Sequence, residues 1–265
     1  MNKSITKAGA AAAAAAALLA TGAFAEECRL ESPAHRVTVV ELYTSEGCSS
    51  CPPADRWLSA LPGQGVLPDN AILLAYHVDY WNQLGWPDRF SRPQYSERQR
   101  ALAARSSAGF VYTPQFMLDG RDFRVGRSTE KLRARLAEIN RQPQKADIRA
   151  DIRRSDKELQ VRGSATLTNS TQGSRAQVWV AVYENGLSTQ VRAGENSGER
   201  LNHDFVVRDL AGPFGLGAAG RVNFDHLVKV GPDWNLDRVG IAVFAEDSAT
   251  GEVLGAAARP SSCGS

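Results

Sequence analysis

The sequence predicts an α/β unit of order βαβαββα followed by an all-β, antiparallel, sandwich-like region. A β-branched run, residues 37–40 (VTVV), reads as a buried strand, and a continuous apolar run, residues 71–78 (AILLAYHV), as a strand of a sheet covered on both faces, with a helical stretch between them. Helical periodicity ends near Asn140, after the apolar face formed by Leu132, Leu136 and Ile139. Beyond the polar, proline-containing residues 141–145 (RQPQK) come only short strand-like runs separated by turn signals. The expected boundaries are 1–25 for an export leader, 26–142 for the α/β unit and 146–260 for the sandwich-like region.

The leader rests on Lys3 and Lys7 ahead of a nearly pure alanine run, closed by Ala23-Phe24-Ala25 before Glu26. Poly-alanine is barely apolar enough to span a bilayer, and no later run is long enough to do so, so no membrane span is expected in the mature chain. Removing 25 of 265 residues takes two of the 31 basic side chains and none of the 29 acidic ones, leaving 29 of each. A balanced surface with no basic block excludes nucleic acid as an expected partner. Export places the protein in the periplasm or outside the cell, where disulfides persist.

The elements follow in order. The run at 37–40 breaks at Ser45-Glu46-Gly47, and Trp57, Leu58 and Leu61 give the next segment a helical spacing. After the strand at 71–78 comes a long aromatic loop carrying Tyr80, Trp81, Trp86 and Phe90, then a helix from about Ser96 to Ser106. Thr113-Pro114 opens a further strand, and Asp119-Gly120 turns it into a hairpin. Ser128 caps the last helix, 129–140. The later strands are expected at 148–152, 159–167, 178–183, 203–207, 222–228 and 239–245.

The chemistry centres on Cys48-Ser49-Ser50-Cys51, where a strand hands over to a helix N-terminus. The first N–H groups and the helix dipole stabilise a thiolate there, so the Cys48 thiol is expected below the ordinary value of about 8.5. Glu46 and Asp55 oppose that shift. If Cys48 pairs with Cys51, the remaining Cys28 and Cys263 join the two ends of the mature chain, a loop whose closure stabilises by up to roughly 5 kcal/mol. Two unpaired terminal thiols are the alternative. Glu41 is a candidate buried carboxylate if its strand is covered on both faces, and a partly wet residue if the strand lies at an edge. His77 stands at the C-terminal end of the second strand, where open α/β sheets keep their sites, either as a wall of the cleft or within a packed His–aromatic cluster that orders the loop. Two thiolates with His77 could also hold a soft ion such as Cu(I); no cofactor is otherwise expected.

Strand, CxxC and helix, followed by Thr113-Pro114 at the start of a strand and hairpin, resemble the thioredoxin fold. The chain is also similar to an exported bacterial family, domain-of-unknown-function family 1223, through ELYTSEGCSSCPPAD (41–55), HVDYWNQLGW (77–86), VYTPQFMLDG (111–120) and RAGENSG (192–198). The thioredoxin resemblance implies that Cys48 attacks, Cys51 resolves, Pro114 is a cis-proline beside the disulfide, and the Thr113 backbone meets an incoming peptide. It also implies that a buried acid, here Glu41, helps the resolving thiol lose its proton. Gly47 in place of a tryptophan, and Ser49-Ser50 in place of Gly-Pro, depart from that pattern. The function expected is thiol–disulfide exchange with protein thiols or disulfides, or with an unidentified periplasmic partner. A binding module with a stable CxxC bridge and a Cu(I)-binding protein are the alternatives.

Overall fold

The computed structural model describes residues 26–106, 109–124, 126–169 and 175–262. The expected leader at 1–25 and Cys263 lie outside them. Its strands and helices, in order, are β1 (Glu26–Glu31), β2 (Thr38–Thr44), α1 (Pro52–Ala60), β3 (Ala71–His77), α2 (Pro93–Arg105), β4 (Gln115–Leu118), β5 (Arg121–Asp122), α3 (Thr129–Asn140), β6 (Ala146–Arg154), β7 (Glu158–Leu167), β8 (Ala176–Glu184), β9 (Leu187–Gln190), β10 (Arg200–His203), β11 (Val206–Gly215), β12 (Arg221–Lys229), β13 (Val239–Asp247) and β14 (Val253–Pro260). No described helix is long and apolar enough to cross a membrane.

The strand pairing corrects the expected fold class. A βαβαββα thioredoxin-like fold followed by an all-β sandwich-like domain is not what the chain forms. The molecule is mostly β, and strands from both halves share one eight-stranded mixed sheet of order β14-β13-β8-β11-β3-β2-β4-β5. The join is made by β11, which pairs antiparallel with β8 and parallel with β3, where Val206 stands opposite both Glu184 and Ala75. A second sheet, β1-β6-β7-β12, is antiparallel throughout and takes in the N-terminal strand, while β9 and β10 form a separate two-stranded ribbon.

Each face of the large sheet is covered by a different set of elements, as the two-residue side-chain period requires. On one face α1 and α3 bury Leu58, Leu61, Leu132, Leu136 and Ile139 over Val40, Leu42 and Leu73. The four-stranded sheet continues that layer, packing Ile148, Ile152, Val161 and Phe224 against Val178, Val180, Ile241 and Val243. On the other face α2 lays Tyr95 and Leu102 over Val39, Tyr43, Tyr76, Ala181 and Phe244.

α1 begins as its sequence dictates. Cys51 is the N-cap residue, and Pro52 and Pro53 fill the first helical positions, where no intrahelical N–H is needed. Ser128 caps α3 by accepting from the Lys131 N–H. Asp119 and Gly120, with φ of 54° and 69°, make the tight turn between β4 and β5. Gly120 is required there on a second ground: a Cβ would lie 2.1 Å from the Gly251 carbonyl oxygen. The expected strand at 203–207 is broken in two, because Phe205 adopts φ 59° between β10 and β11.

Candidate functional site

Cys48 and Cys51 form a disulfide, with Cα atoms 5.4 Å apart, in the turn between β2 and α1. The turn is closed by its own backbone: the Cys48 N–H donates to the Ser45 carbonyl, and the Cys51 N–H to the Cys48 carbonyl. The N–H groups of Ala54 and Asp55 then converge on the Cys51 carbonyl, which starts the helix. Both cysteines are 0% exposed, whereas Ser49 and Ser50 between them face solvent.

Thr113 and Pro114 stand beside the disulfide. Their peptide bond is cis, and the Thr113 carbonyl oxygen lies 3.9 Å from Cys48 Sγ. Ser50 Oγ approaches the same sulfur at 3.3 Å. The loop carrying Thr113 is anchored from two sides. Tyr80 hydrogen bonds the Thr113 hydroxyl. Gln99 of α2 accepts from Tyr80 and donates to the Tyr112 carbonyl and to Gln115. Pro114 also lines a groove of about 410 Å³ together with Trp57, Phe110, Tyr112, Phe116 and Phe123.

Beneath the turn lies a buried cluster of ionisable groups that sequence reasoning assigned only in part. His77, at the end of β3, holds Asp88 through Nδ1 at 2.6 Å, and the same carboxylate accepts from the Glu46 N–H at 2.8 Å. Glu46 accepts from Trp86 Nε1 at 2.9 Å, and its other oxygen lies 3.4 Å from His203 Nε2. The two imidazoles meet edge to face at 5.0 Å, with Phe90 packed against both. Asp55, one turn into α1, is 6% exposed and borders a small cavity shared with His203.

Burial lowers the proton affinity of His77, but the charge and hydrogen bond of Asp88, with Asp55 and Glu46 nearby, more than reverse this and hold it above its ordinary value. Burial acts the other way on Asp88, yet the His77 charge, the His77 hydrogen bond and the N–H groups of Glu46 and Phe90 keep its carboxyl below the usual range. Glu46 is likewise lowered: burial is outweighed by hydrogen bonds, His203 first. Asp55 is raised by burial, against the attraction of His203 and His77.

Glu41 occupies a different environment. Its side chain projects to the α2 face of the sheet, opposite α1, where Arg98 donates to it at 2.6 and 3.1 Å and Tyr43 OH at 2.7 Å. Arg98 also holds Glu246 on β13 at 2.8 Å. The relay expected of Glu41 has no support from that position, because its carboxylate is committed to the ion pair with Arg98. His77 is placed under the turn in a packed aromatic cluster and not on an open cleft wall. Cys28 lies on β1, and its expected bond falls outside the described residues with Cys263. Among the described residues no group of three or more His, Cys, Asp or Glu side chains is arranged to hold a metal ion.

The sequence singles out none of Asp88, Glu195 and Asn196, and it reads His203, like His226, as a structural residue of the sandwich-like region, whereas the structure sets His203 against His77 and Glu46. Glu195 and Asn196 lie inside the RAGENSG stretch, and Asp88 follows the aromatic segment 77–86, so proximity to those segments was the signal available. Nothing local placed His203 beside His77, since the two are 126 residues apart and meet only through tertiary packing.

A solved structure of protein AGR_C_4864 from Agrobacterium tumefaciens is similar at 27% identity and a TM-score of 0.62, over 86% of this chain and 96% of that one. HBP35 of Porphyromonas gingivalis shares the fold at a TM-score of 0.65 with 13% identity, over 86% of this chain and 76% of that one. No curated protein matches the chain. Residues 39–245 match the model of the family described as "Protein of unknown function (DUF1223)", and the chain belongs to that family.

Proposed function

We propose that this protein carries out thiol–disulfide exchange through Cys48 and Cys51, with protein thiols or disulfides as its partners, in the periplasm or outside the cell. In the oxidised form an incoming thiolate attacks Cys48 Sγ, a mixed disulfide forms, and Cys51 leaves as a thiolate that takes up a proton. A second thiolate on the partner then attacks the mixed disulfide, leaving the partner oxidised and Cys48 and Cys51 reduced. Run in reverse, the Cys48 thiolate attacks a partner disulfide and Cys51 resolves it. The observation that carries this reading is the Cys48–Cys51 bond at the first turn of α1, with the Thr113 carbonyl 3.9 Å from Cys48 Sγ. The helix N-terminus favours the thiolate, and the carbonyl is an acceptor for the Cys48 S–H or for a partner's backbone N–H.

A Cys48→Ser variant tests it: exchange with a model dithiol is lost if Cys48 is the attacking sulfur, and retained exchange contradicts the assignment. A second reading, a non-catalytic module with a permanent bridge, is favoured by one observation, the complete burial of both cysteines. The two differ in the reduction potential they require.

A further inference from the structure

We propose that Glu195 and Asn196, in the loop between β9 and β10, are positioning residues of the Cys48–Cys51 site: the loop closes over the disulfide turn, and the Glu195 carboxylate competes with a Cys48 thiolate for the Ser49 N–H. This rests on the thiol-exchange reading and adds what governs access to the sulfur and the strength of the thiolate.

The loop is built to hold its shape. β9 and β10 end at the Gln190–Arg200 pair. Beyond it, the Val191 N–H donates to the Glu199 carbonyl at 2.9 Å, and the Gly198 N–H to the Val191 carbonyl at 3.0 Å. At the tip the Ser197 and Glu199 N–H groups donate to the Gly194 and Asn196 carbonyls. Gly194, at φ 74°, lies flat on Trp86 and Gly85, and a Cβ there would come within 3.2 Å of the Trp86 Cβ.

From this frame Asn196, 6% exposed, reaches the turn. Its carboxamide nitrogen donates to the Glu46 carbonyl at 2.8 Å and to the Cys48 carbonyl at 3.0 Å. Those two carbonyls bracket the first cysteine, so one side chain holds the turn on both sides of Cys48. Disulfide exchange requires a thiolate to approach Cys48 Sγ in line with the S–S bond, and a sulfur with no exposed surface admits none until something moves. Asn196 restrains the segment that has to move.

Glu195 acts on charge. Its Oε2 accepts from the Ser49 N–H at 2.9 Å, one residue past Cys48. That backbone hydrogen bond, with a further one from the Ser49 side chain, holds the Glu195 carboxyl below its ordinary value, so it is ionised at neutral pH. A thiolate formed at Cys48 therefore finds one donor of its turn already taken and a negative charge held on the N–H of the next residue. The other ionisable groups around the turn are Glu46, Asp55 and Arg56 on its own strand–helix segment, His77 and Asp88 beneath it, and Arg200 and His203 on β10. All are common to the wild type and a Glu195 variant, so the difference between the two isolates Glu195.

The experiment uses the full chain in two single variants, Glu195→Gln and Asn196→Ala, with Cys48 titrated in the reduced protein by its thiolate absorbance. Glu195→Gln should move the Cys48 titration down by roughly half a pH unit or more and shift the dithiol–disulfide equilibrium toward the reduced form. A purely structural residue would change thermal stability and leave both unmoved. Asn196→Ala should speed reduction of the oxidised protein by dithiothreitol roughly tenfold at fixed pH, as two buried hydrogen bonds restraining the turn are lost. Superimposable titrations for wild type and Glu195→Gln overturn the charge role, and an unchanged Asn196→Ala rate overturns the cover. Neither readout needs turnover of a partner, so failure of the exchange reading in Cys48→Ser stays distinguishable from failure here.

Discussion

His77 and Asp88 are both fully shielded from water yet bonded at 2.6 Å, so each stabilises the charged form of the other. The pH dependence follows from the directions of their shifts. His77 is raised above its ordinary 6.5, so its contribution to stability is complete below about pH 6.5 and is lost as the pH rises through the higher folded value. Asp88 and Glu46 are lowered from 3.8 and 4.5, so theirs is present above those values and is lost as the pH falls through the lower folded ones. A His77→Gln variant keeps a donor for Asp88 but no titrating charge. Its melting temperature should fall furthest below the wild type near pH 6, and the gap should narrow as the pH rises; a gap independent of pH across that range contradicts the ion pair. At this scale the sequence was informative about identity and poor about company. Cys48 and Cys51 were legible because a CxxC at a strand–helix junction has a local cause, whereas the place of Thr113 and Pro114 beside them was implied only by the thioredoxin resemblance. Glu41 was recognisable as a buried acid, but the face on which it is buried depends on the register of β2 against β3 and β4, and that register put it on Arg98.

Among the elements, α2 shows how helices and strands are tied. Its apolar stripe is modest, with Arg98 and Gln99 buried alongside Tyr95 and Leu102. Arg98 bridges Glu41 on β2 and Glu246 on β13, and its guanidinium lies 5.1 Å from the rings of both Trp179 and Phe244. Glu246 also accepts from Gln177 and Trp179 Nε1, so the buried charges are satisfied within the group. Arg98→Met removes the cation and leaves two carboxylates buried together, which should cost about 3–5 kcal/mol in denaturant unfolding. A loss under about 1 kcal/mol would show that the triad is wet or unformed. Most elements of the first half could be read from periodicity and turn residues, including the Asp119-Gly120 hairpin. β1, β9 and β14 were not anticipated. β9 is four residues long and β14 is rich in alanine, so neither carries an alternating or β-branched signature, whereas β1 does alternate, with Cys28 and Leu30 buried between charged neighbours.

For the molecule as a whole, the decisive feature is β11 between β8 and β3. Through it the C-terminal strands extend the sheet that carries the cysteine turn, and the β9–β10 ribbon brings His203, Glu195 and Asn196 to that turn. The sequence displayed two halves with different periodicities, which suggested two separate folds; which strand pairs with which is set by long-range packing and leaves no mark in the period of either half. With one sheet shared by both halves, unfolding should be a single cooperative transition, coincident by tryptophan fluorescence and far-ultraviolet circular dichroism. Two separated transitions would show that the halves are energetically independent. The reduction potential of the Cys48–Cys51 pair, measured on the full chain by equilibration with a dithiol buffer, decides between an exchanging site and a permanent bridge. Thiol–disulfide exchange predicts a value above about −300 mV, within reach of cellular thiol partners; a value far below that contradicts it and makes the bond structural.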